Sequence, residues 1–210
     1  MGQDPFGSDT EPDASTGNRR IECMRGKIVG GSSSVNAMAY VRGHRADYDR
    51  WAANGASGWS YSDVLPYFRR QESWQGGASF YRGGHGPLAT RKSRYEDPLV
   101  DAYVEAAVQA GYPYNDDYNA AEQYGIGRMQ MTIRNGRRDS SATAYLYPAL
   151  SRDRLTVEVK AQVTRVAMDG CRAVGVDYIR NGERVTARAR REIILSAGAI
   201  NSPQLLCCPA

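Results

Sequence analysis

From Leu155 onward the chain alternates apolar and polar residues, a period of two that predicts strands with one buried face. Asp169-Gly170 and Asn181-Gly182 interrupt the alternation, and both dipeptides are typical of tight hairpin turns. Because the turns are short, neighbouring strands must run antiparallel. The sequence therefore predicts a β-meander whose strands cover 155–159, 162–168, 173–179 and 184–189.

A short apolar run at 192–195 follows the meander and predicts a strand that is buried on both faces. It leads through small residues at 196–199 into a helix that we expect to begin at Asn201 or Ser202, with Pro203 in its first turn. A buried strand, a tight turn and a helix N-terminus form the unit with which nucleotide-binding α/β folds hold phosphate.

A second glycine-rich segment lies near the other end of the chain, at 26–36 (GKIVGGSSSVN). Its paired glycines lack the Cβ that would keep a ligand away from the backbone, and its serines favour the start of a helix. Two interpretations are about equally good on the pattern alone. The segment is either a turn that caps a helix over 32–41 or a loop that holds a phosphate-bearing ligand.

The segments between these two features predict further elements. Helix 98–110 has the clearest signals, because Asp97 can cap it, Pro98 suits its first turn and Gly111 follows its end. Pro66 is expected to limit how early a helix over 60–72 can begin. We also predict helices at 45–53 and 140–150, strands at 88–90 and 127–133, and loop or disorder at 1–20, 76–87 and 112–124.

Composition restricts the class of protein. With 210 residues, 41% hydrophobic and 24% charged, the chain is expected to form one large or two small globular domains. The net charge of +4 is dispersed, which argues against a nucleic-acid partner. No apolar run is long enough for a membrane span, and the polar N-terminus is unlike a secretory signal. The four cysteines lack metal-ligand spacing, so we expect reduced thiols, no metal site and a cytoplasmic location.

Candidate catalytic groups are scarce. The two histidines, His44 and His85, stand in loop-like surroundings, and the dinucleotide motif G-x-G-x-x-G is missing. The nearest string begins at Gly125 and fails at the third glycine. The residues alone thus predict a nucleotide-site scaffold without an evident acid, base or nucleophile.

Longer stretches resemble the glucose–methanol–choline (GMC) oxidoreductases. Residues 25–43 (RGKIVGGSSSVNAMAYVRG) resemble the first signature of that family, and 196–206 (SAGAINSPQLL) resemble the start of the second. The resemblance covers about 11–206 and is strongest to the choline dehydrogenase-like members. Further matching stretches lie at 47–51, 59–68 and 135–138.

The resemblance implies an α+β (α/β) fold, namely a partial FAD/NAD(P)-binding Rossmann-like domain with the β-meander, plus part of a substrate domain. It implies FAD as cofactor and oxidation of a small alcohol by hydride transfer to the flavin. Its implied domain bounds are 1–24 (disordered or extended), 25–74 and 151–210 (FAD-binding) and 75–150 (substrate). Carried over by position, the implied cofactor-binding residues are Gly30, Gly31, Ser32, Ser33, Asn36, Val163, Ala197 and Gly198.

Departures from the family pattern qualify that expectation. The first glycine motif and the catalytic histidine of the family have no counterpart in these 210 residues, and Cys23-Met24 replaces a usual Trp-Pro pair. We therefore expect an incomplete, inactive piece of an enzyme. The alternative is a non-catalytic remnant that binds a nucleotide or self-associates through an unpaired sheet edge.

Overall fold

The computed structural model describes residues 7–207. Two compact units divide between Asp153 and Arg154. The first unit contains short helices and small sheets, and the second contains a three-stranded meander followed by a helix. The α+β class predicted from the sequence is confirmed.

A short antiparallel ladder opens the first unit. Strand β1 (Gly7–Asp9) pairs with β2 (Glu22–Met24), and a 3₁₀ turn at Ala14–Thr16 lies between them. The Asp13 carboxylate caps this turn by accepting from the Ser15 backbone N–H at 2.7 Å. The expectation of loop or disorder over 1–20 is therefore wrong for the ladder and turn, while 1–6 lie outside the described residues.

The glycine–serine segment forms one 3₁₀ turn, Gly31–Ser34, and the predicted helix over 32–41 is wrong. Hydroxyl groups compete with a helix here, since Ser34 Oγ donates to the Val29 carbonyl at 2.9 Å. Met38 then takes a left-handed φ of 62°, and Ala39 forms a bridge to Met131. The chain leaves the turn in an extended conformation.

Helices α1 (Arg45–Ala53) and α2 (Tyr61–Gln71) follow, as predicted. Ser60 and Asp63 form a reciprocal capping box at the start of α2. Pro66 lies inside α2, so the expectation that it delays the helix is wrong. The capping box fixes the start of α2 at Tyr61, five residues before Pro66. The helix continues past Pro66 although the proline lacks a backbone N–H to donate.

The central sheet of the first unit contains β3 (Glu72–Trp74), β4 (Leu88–Lys92) and β5 (Gln130–Met131). Strand β4 pairs in parallel with β3 and antiparallel with β5. The predicted strand at 88–90 is confirmed, and the one at 127–133 is confirmed only in part, because 127–129 form no strand. The second is divided, because its continuation β6 (Ile133–Arg134) pairs with β7 (Arg137–Arg138) across the Asn135-Gly136 turn.

Helix α3 (Pro98–Gln109) is confirmed, with Asp97 as its cap and Pro98 in its first turn. None of its side chains is fully buried, and Leu99 remains 79% exposed. The predicted helix at 140–150 contains a π turn at Ala142–Leu146 that continues into α4 (Tyr147–Ala149). No helix in the described part of the chain could cross a membrane.

The second unit confirms the meander. Strands β8 (Gln162–Asp169), β9 (Arg172–Arg180) and β10 (Glu183–Arg188) pair antiparallel in the order β10-β9-β8. Both predicted turns connect them. Helix α5 (Gly198–Cys207) follows and packs against β8.

Two other expectations for the second unit are wrong. Residues 155–159 and 192–195 form no strand, because neither finds a partner strand among the described residues. A strand buried on both faces needs neighbours and covering layers, and Ile194 is instead 76% exposed. Helix α5 begins at Gly198, earlier than predicted, because the Ser202 hydroxyl accepts from the Ala197 N–H at 2.9 Å and holds the first turn.

Candidate functional site

The glycine–serine loop, defined as 26–36, is held by close contacts within itself. Gly30 and Gly31 have φ values of 91° and 57°, which L side chains rarely adopt. A Cβ on Gly26 would lie 2.4 Å from the Gly31 carbonyl oxygen. Glycine is therefore required at these positions by the loop's own geometry.

The loop is also fixed by residues more than a hundred positions later. Ser33 Oγ donates to the Gly30 carbonyl at 2.6 Å and accepts from the Ser141 N–H at 2.9 Å. Ser141 Oγ donates to the same Gly30 carbonyl at 3.0 Å. These bonds attach the loop to the residues that start the π turn.

Arg138 makes the second attachment. Its Nη1 donates to the Asn36 carbonyl at 2.6 Å, to Asn36 Oδ1 at 2.8 Å and to the Ser33 carbonyl at 3.3 Å. The Asn135-Gly136 turn connects β6 to β7, the strand that carries Arg138 to within hydrogen-bonding distance of the loop. Sequence reasoning missed the contact, although Arg138 lies in one of the stretches that resemble the family.

One face of the loop is free for a ligand. A Cβ built on Gly31 would meet no atom within 4 Å, so bare backbone faces open space there. Ser33 and Ser34 donate their hydroxyl protons to carbonyls of the loop, whereas Ser32 Oγ only accepts, from the Gly26 N–H at 3.2 Å, and keeps its proton for a ligand. Hydroxyl and peptide donors bind phosphate oxygens. The residues present thus fit a phosphate-bearing cofactor such as a dinucleotide.

The remaining predicted site residues lie in the second unit. Val163 stands next to an irregularity in the β8–β9 ladder, where the register shifts between Val163 and Arg165. Such bulges reorient a strand and recur beside binding sites. Ala197 and Gly198 precede and begin α5, the helix that packs against β8. The structure thus places five predicted residues on one loop and three in the other unit.

A buried polar network, which sequence reasoning did not predict, lies in the first unit. The carboxylate of Glu72, which is fully buried, accepts from Arg82 Nη2 at 2.6 Å and Arg82 Nε at 3.0 Å. It also accepts from Arg42 Nη2 at 2.7 Å and from the Thr90 hydroxyl at 2.6 Å. Both guanidiniums are buried as well.

Amide and carboxylate groups complete this network. Arg82 Nη1 donates to Asp117 Oδ1 at 2.5 Å and to Gln130 Oε1 at 2.9 Å. Asn119 Nδ2 donates to the same Gln130 oxygen at 2.8 Å, while its Oδ1 accepts from the Arg42 N–H at 2.7 Å. Two arginines face two carboxylates, so the charges balance in the interior.

Few groups have the properties of a catalytic acid or base. His44 Nδ1 accepts from the Ala46 N–H at 3.2 Å, which makes this histidine the cap of α1. Burial raises the pKa of Tyr118, whose hydroxyl accepts from the Gln130 N–H. Burial also raises the pKa of Tyr145. Among the described residues no group of His, Cys, Asp and Glu could hold a metal ion.

These features are typical of nucleotide-binding proteins. They are the α+β class, the β-meander and a glycine–serine loop with an open side that can bind phosphate. The sequence model described as GMC oxidoreductase matches residues 12–208. The chain therefore belongs to the GMC oxidoreductase family, a family of FAD-binding flavoproteins.

Individual proteins support the assignment. Mitochondrial choline dehydrogenase of Mus musculus is 51% identical over 197 residues, which are 94% of this chain and 33% of that protein. The pyridoxine 4-oxidase structure from Mesorbium loti superposes with a TM-score of 0.90 at 31% identity, covering 97% of this chain and 41% of its own. An FAD-dependent oxidoreductase from Chaetomium thermophilum gives 0.88 at 28% identity, covering 95% and 37%. The chain thus spans about a third of the length of its curated relative.

Proposed function

We propose that this chain is the FAD-binding and substrate-domain part of an alcohol oxidoreductase that acts on choline or a similar small alcohol. The observation that supports it is the glycine–serine loop, with open space beside Gly31 and a Ser32 hydroxyl whose proton is not used within the loop. The identity to a choline dehydrogenase supports the choice of alcohol. Bound FAD would supply the hydride acceptor, while the loop binds and orients it.

We assign the cofactor contacts as follows. Gly30, Gly31, Ser32, Ser33 and Asn36 would lie along the diphosphate and flavin, and the Val163 backbone would contact adenine. Ala197 and Gly198 would approach the cofactor at the start of α5. The proposed domain bounds are 25–74 and 151–210 for the FAD-binding parts and 75–150 for the substrate part, after an N-terminal segment at 1–24.

The test is titration of the purified chain with FAD, followed by flavin fluorescence and by thermal unfolding. Saturable quenching and a higher melting temperature are expected, because a ligand that binds only the folded state stabilises it. A Gly31→Val variant should bind more weakly, since its side chain would occupy the open face and strain a positive φ. Absence of any FAD effect on the unsubstituted chain would refute the cofactor proposal for these 210 residues.

The chain itself should not oxidise choline. Its two histidines are a helix cap and a member of a glycine-rich loop, so neither is placed as the general base of an alcohol oxidation. Choline-dependent dye reduction by the FAD-supplemented chain would contradict this expectation. A cytoplasmic location is likewise proposed, and fractionation of the source cells would test it against the mitochondrial location of the mouse relative.

Self-association is the second candidate property. The chain exposes 15407 Å², whereas a folded protein of its mass exposes about 9,700 Å². Helix α3 contributes an apolar stripe, with Leu99 and Tyr103 79% and 68% exposed. We propose that a second copy covers this stripe. Sedimentation at rising concentration should show a dimer that Leu99→Lys weakens, and a monomer throughout would refute it.

A further inference from the structure

We infer that Arg138 is a positioning residue for the cofactor loop, acting through Asn36. The inference rests on the proposed FAD site. The loop would bind FAD, and Arg138 would hold the loop in the conformation that binds it. Arg138 is half-buried, and its Nη1 reaches the Asn36 carbonyl, the Asn36 side-chain oxygen and the Ser33 carbonyl.

The direction of the Asn36 amide follows from its neighbours. Its Oδ1 accepts from the Met38 N–H at 2.9 Å and from Arg138 at 2.8 Å. Both neighbours are donors only, so the oxygen must face them and the NH₂ group must face away. Asn36 is exposed, and its Nδ2 donates to no group in the described part of the chain. Arg138 and the Met38 N–H together hold this amide so that its two N–H donors face outward.

The backbone is oriented by the same contact. In a trans peptide the carbonyl and the following N–H point in opposite directions. Because Arg138 binds the Asn36 carbonyl, it directs the Ala37 N–H away from itself, whereas the Ser34 N–H belongs to the 3₁₀ turn. Carbonyl oxygens repel phosphate and peptide N–H groups attract it, so this orientation favours an anionic cofactor.

The charge of Arg138 supports the same role. Arg134 forms an ion pair with Asp139 at 3.1 Å, and Arg42 and Arg82 share Glu72. Arg138 forms no ion pair within residues 7–207, and its three hydrogen-bond acceptors there are neutral oxygens. A half-buried positive charge that lacks a carboxylate partner adds attraction for a diphosphate next to it.

The neighbouring Arg137 provides a matched control. It is exposed, lies on the same strand β7 and makes no side-chain hydrogen bond within the described chain. Arg137→Gln removes the same charge one position away. It should leave both the loop and FAD affinity unchanged.

The experiment measures FAD affinity by calorimetry for the unsubstituted chain, Arg138→Gln, Arg138→Lys, Asn36→Ala, the Arg138→Gln/Asn36→Ala double variant and Arg137→Gln. We expect about tenfold weaker binding for Arg138→Gln, the size of one lost charge-assisted hydrogen bond. Arg138→Lys should recover only part, since its ammonium keeps the charge but ends a side chain one bond shorter than the one that carries Nη1, so it reaches the three acceptors less well. The double variant should bind less weakly than the sum of the two single effects predicts, because part of the Arg138 effect passes through the Asn36 side chain.

Several results would overturn the inference while leaving the FAD proposal intact. These are unchanged affinity in Arg138→Gln, full recovery in Arg138→Lys, or strict additivity with Asn36→Ala. Hydrogen exchange of the cofactor-free chain decides the case in which nothing binds FAD. Faster amide exchange over 30–37 in Arg138→Gln than in Arg137→Gln then supports positioning of the loop, and equal exchange rates refute it.

Discussion

Glu72→Gln should destabilise the first unit severely. The glutamate side chain is 0% exposed, and it is the carboxylate that both Arg42 and Arg82 contact. Glutamine has the same shape but no charge, and one of its two carboxylate positions becomes an NH₂ donor. That donor would face either Arg42 Nη2 and Arg82 Nε, or Arg82 Nη2 and the Thr90 hydroxyl. A donor would thus meet donors in either orientation.

The magnitude follows from burial. Removing one partner of a buried ion pair costs about 3–5 kcal/mol, because the remaining charge loses its compensation in the interior. Asp117 still faces Arg82 at 2.5 Å, so part of the positive charge remains balanced. A domain of this size loses about 2–4 °C of melting temperature per kcal/mol. We therefore expect a decrease of about 6–20 °C.

Thermal unfolding followed by circular dichroism measures the decrease in melting temperature, and urea unfolding measures the lost free energy. Asp47→Asn is the control for both. Asp47 pairs with Arg50 at 2.7 Å, but the two side chains are 42% and 64% exposed. Such an exposed pair contributes about 0–1 kcal/mol. A loss below about 1 kcal/mol for Glu72→Gln, equal to that of the control, would refute the view that a compensated charge network holds this unit together.

Three further changes test other parts of the fold. Ser60→Ala removes the capping box of α2 and should cost about 1 kcal/mol in urea unfolding, and an unchanged midpoint would contradict the cap. The Thr186 hydroxyl, followed by Arg165, lowers the pKa of Asp177 below its ordinary 3.8. The stability that the ionised Asp177 carboxylate contributes is present above its ordinary pKa and is lost as pH falls through its lowered pKa. Thr186→Val should therefore destabilise the second unit at neutral pH and not in strong acid. An effect that does not change with pH would contradict this. Gly83→Ala should impair folding, because its Cβ would lie 1.9 Å from the Arg69 carbonyl, and a normal circular dichroism spectrum with an unchanged melting temperature would contradict it.

Local signals carried most of what the sequence predicted. The caps at Asp97 and Ser60 and the turn at Asn181-Gly182 act within four residues, so a single stretch of sequence contains them in full. The wrong strand at 192–195 shows the limit of such signals. An apolar run predicts burial, but a strand forms only where another strand accepts its hydrogen bonds.

The buried network could not be predicted for the opposite reason. Arg42 and Glu72 are 30 positions apart, and Arg82 and Gln130 are 48 apart. Each charged residue on its own is typical of a solvated surface, and only the fold brings opposite charges together. The loop-binding role of Arg138 is equally non-local, since 102 positions separate it from Asn36.

The network and the cofactor loop are mechanically connected. The chain that leaves the loop runs along β5, where the Tyr40 N–H donates to the Gln130 carbonyl at 2.8 Å and Met38 accepts from the Thr132 N–H at 2.9 Å. Two residues later this segment ends at Arg42, inside the network. A glycine-rich loop has many conformations available, so a precise binding face requires fixed ends. Arg138 and Ser141 fix the loop from below, and the buried charges fix its exit, which gives the polar interior of this unit a functional reason beyond stability.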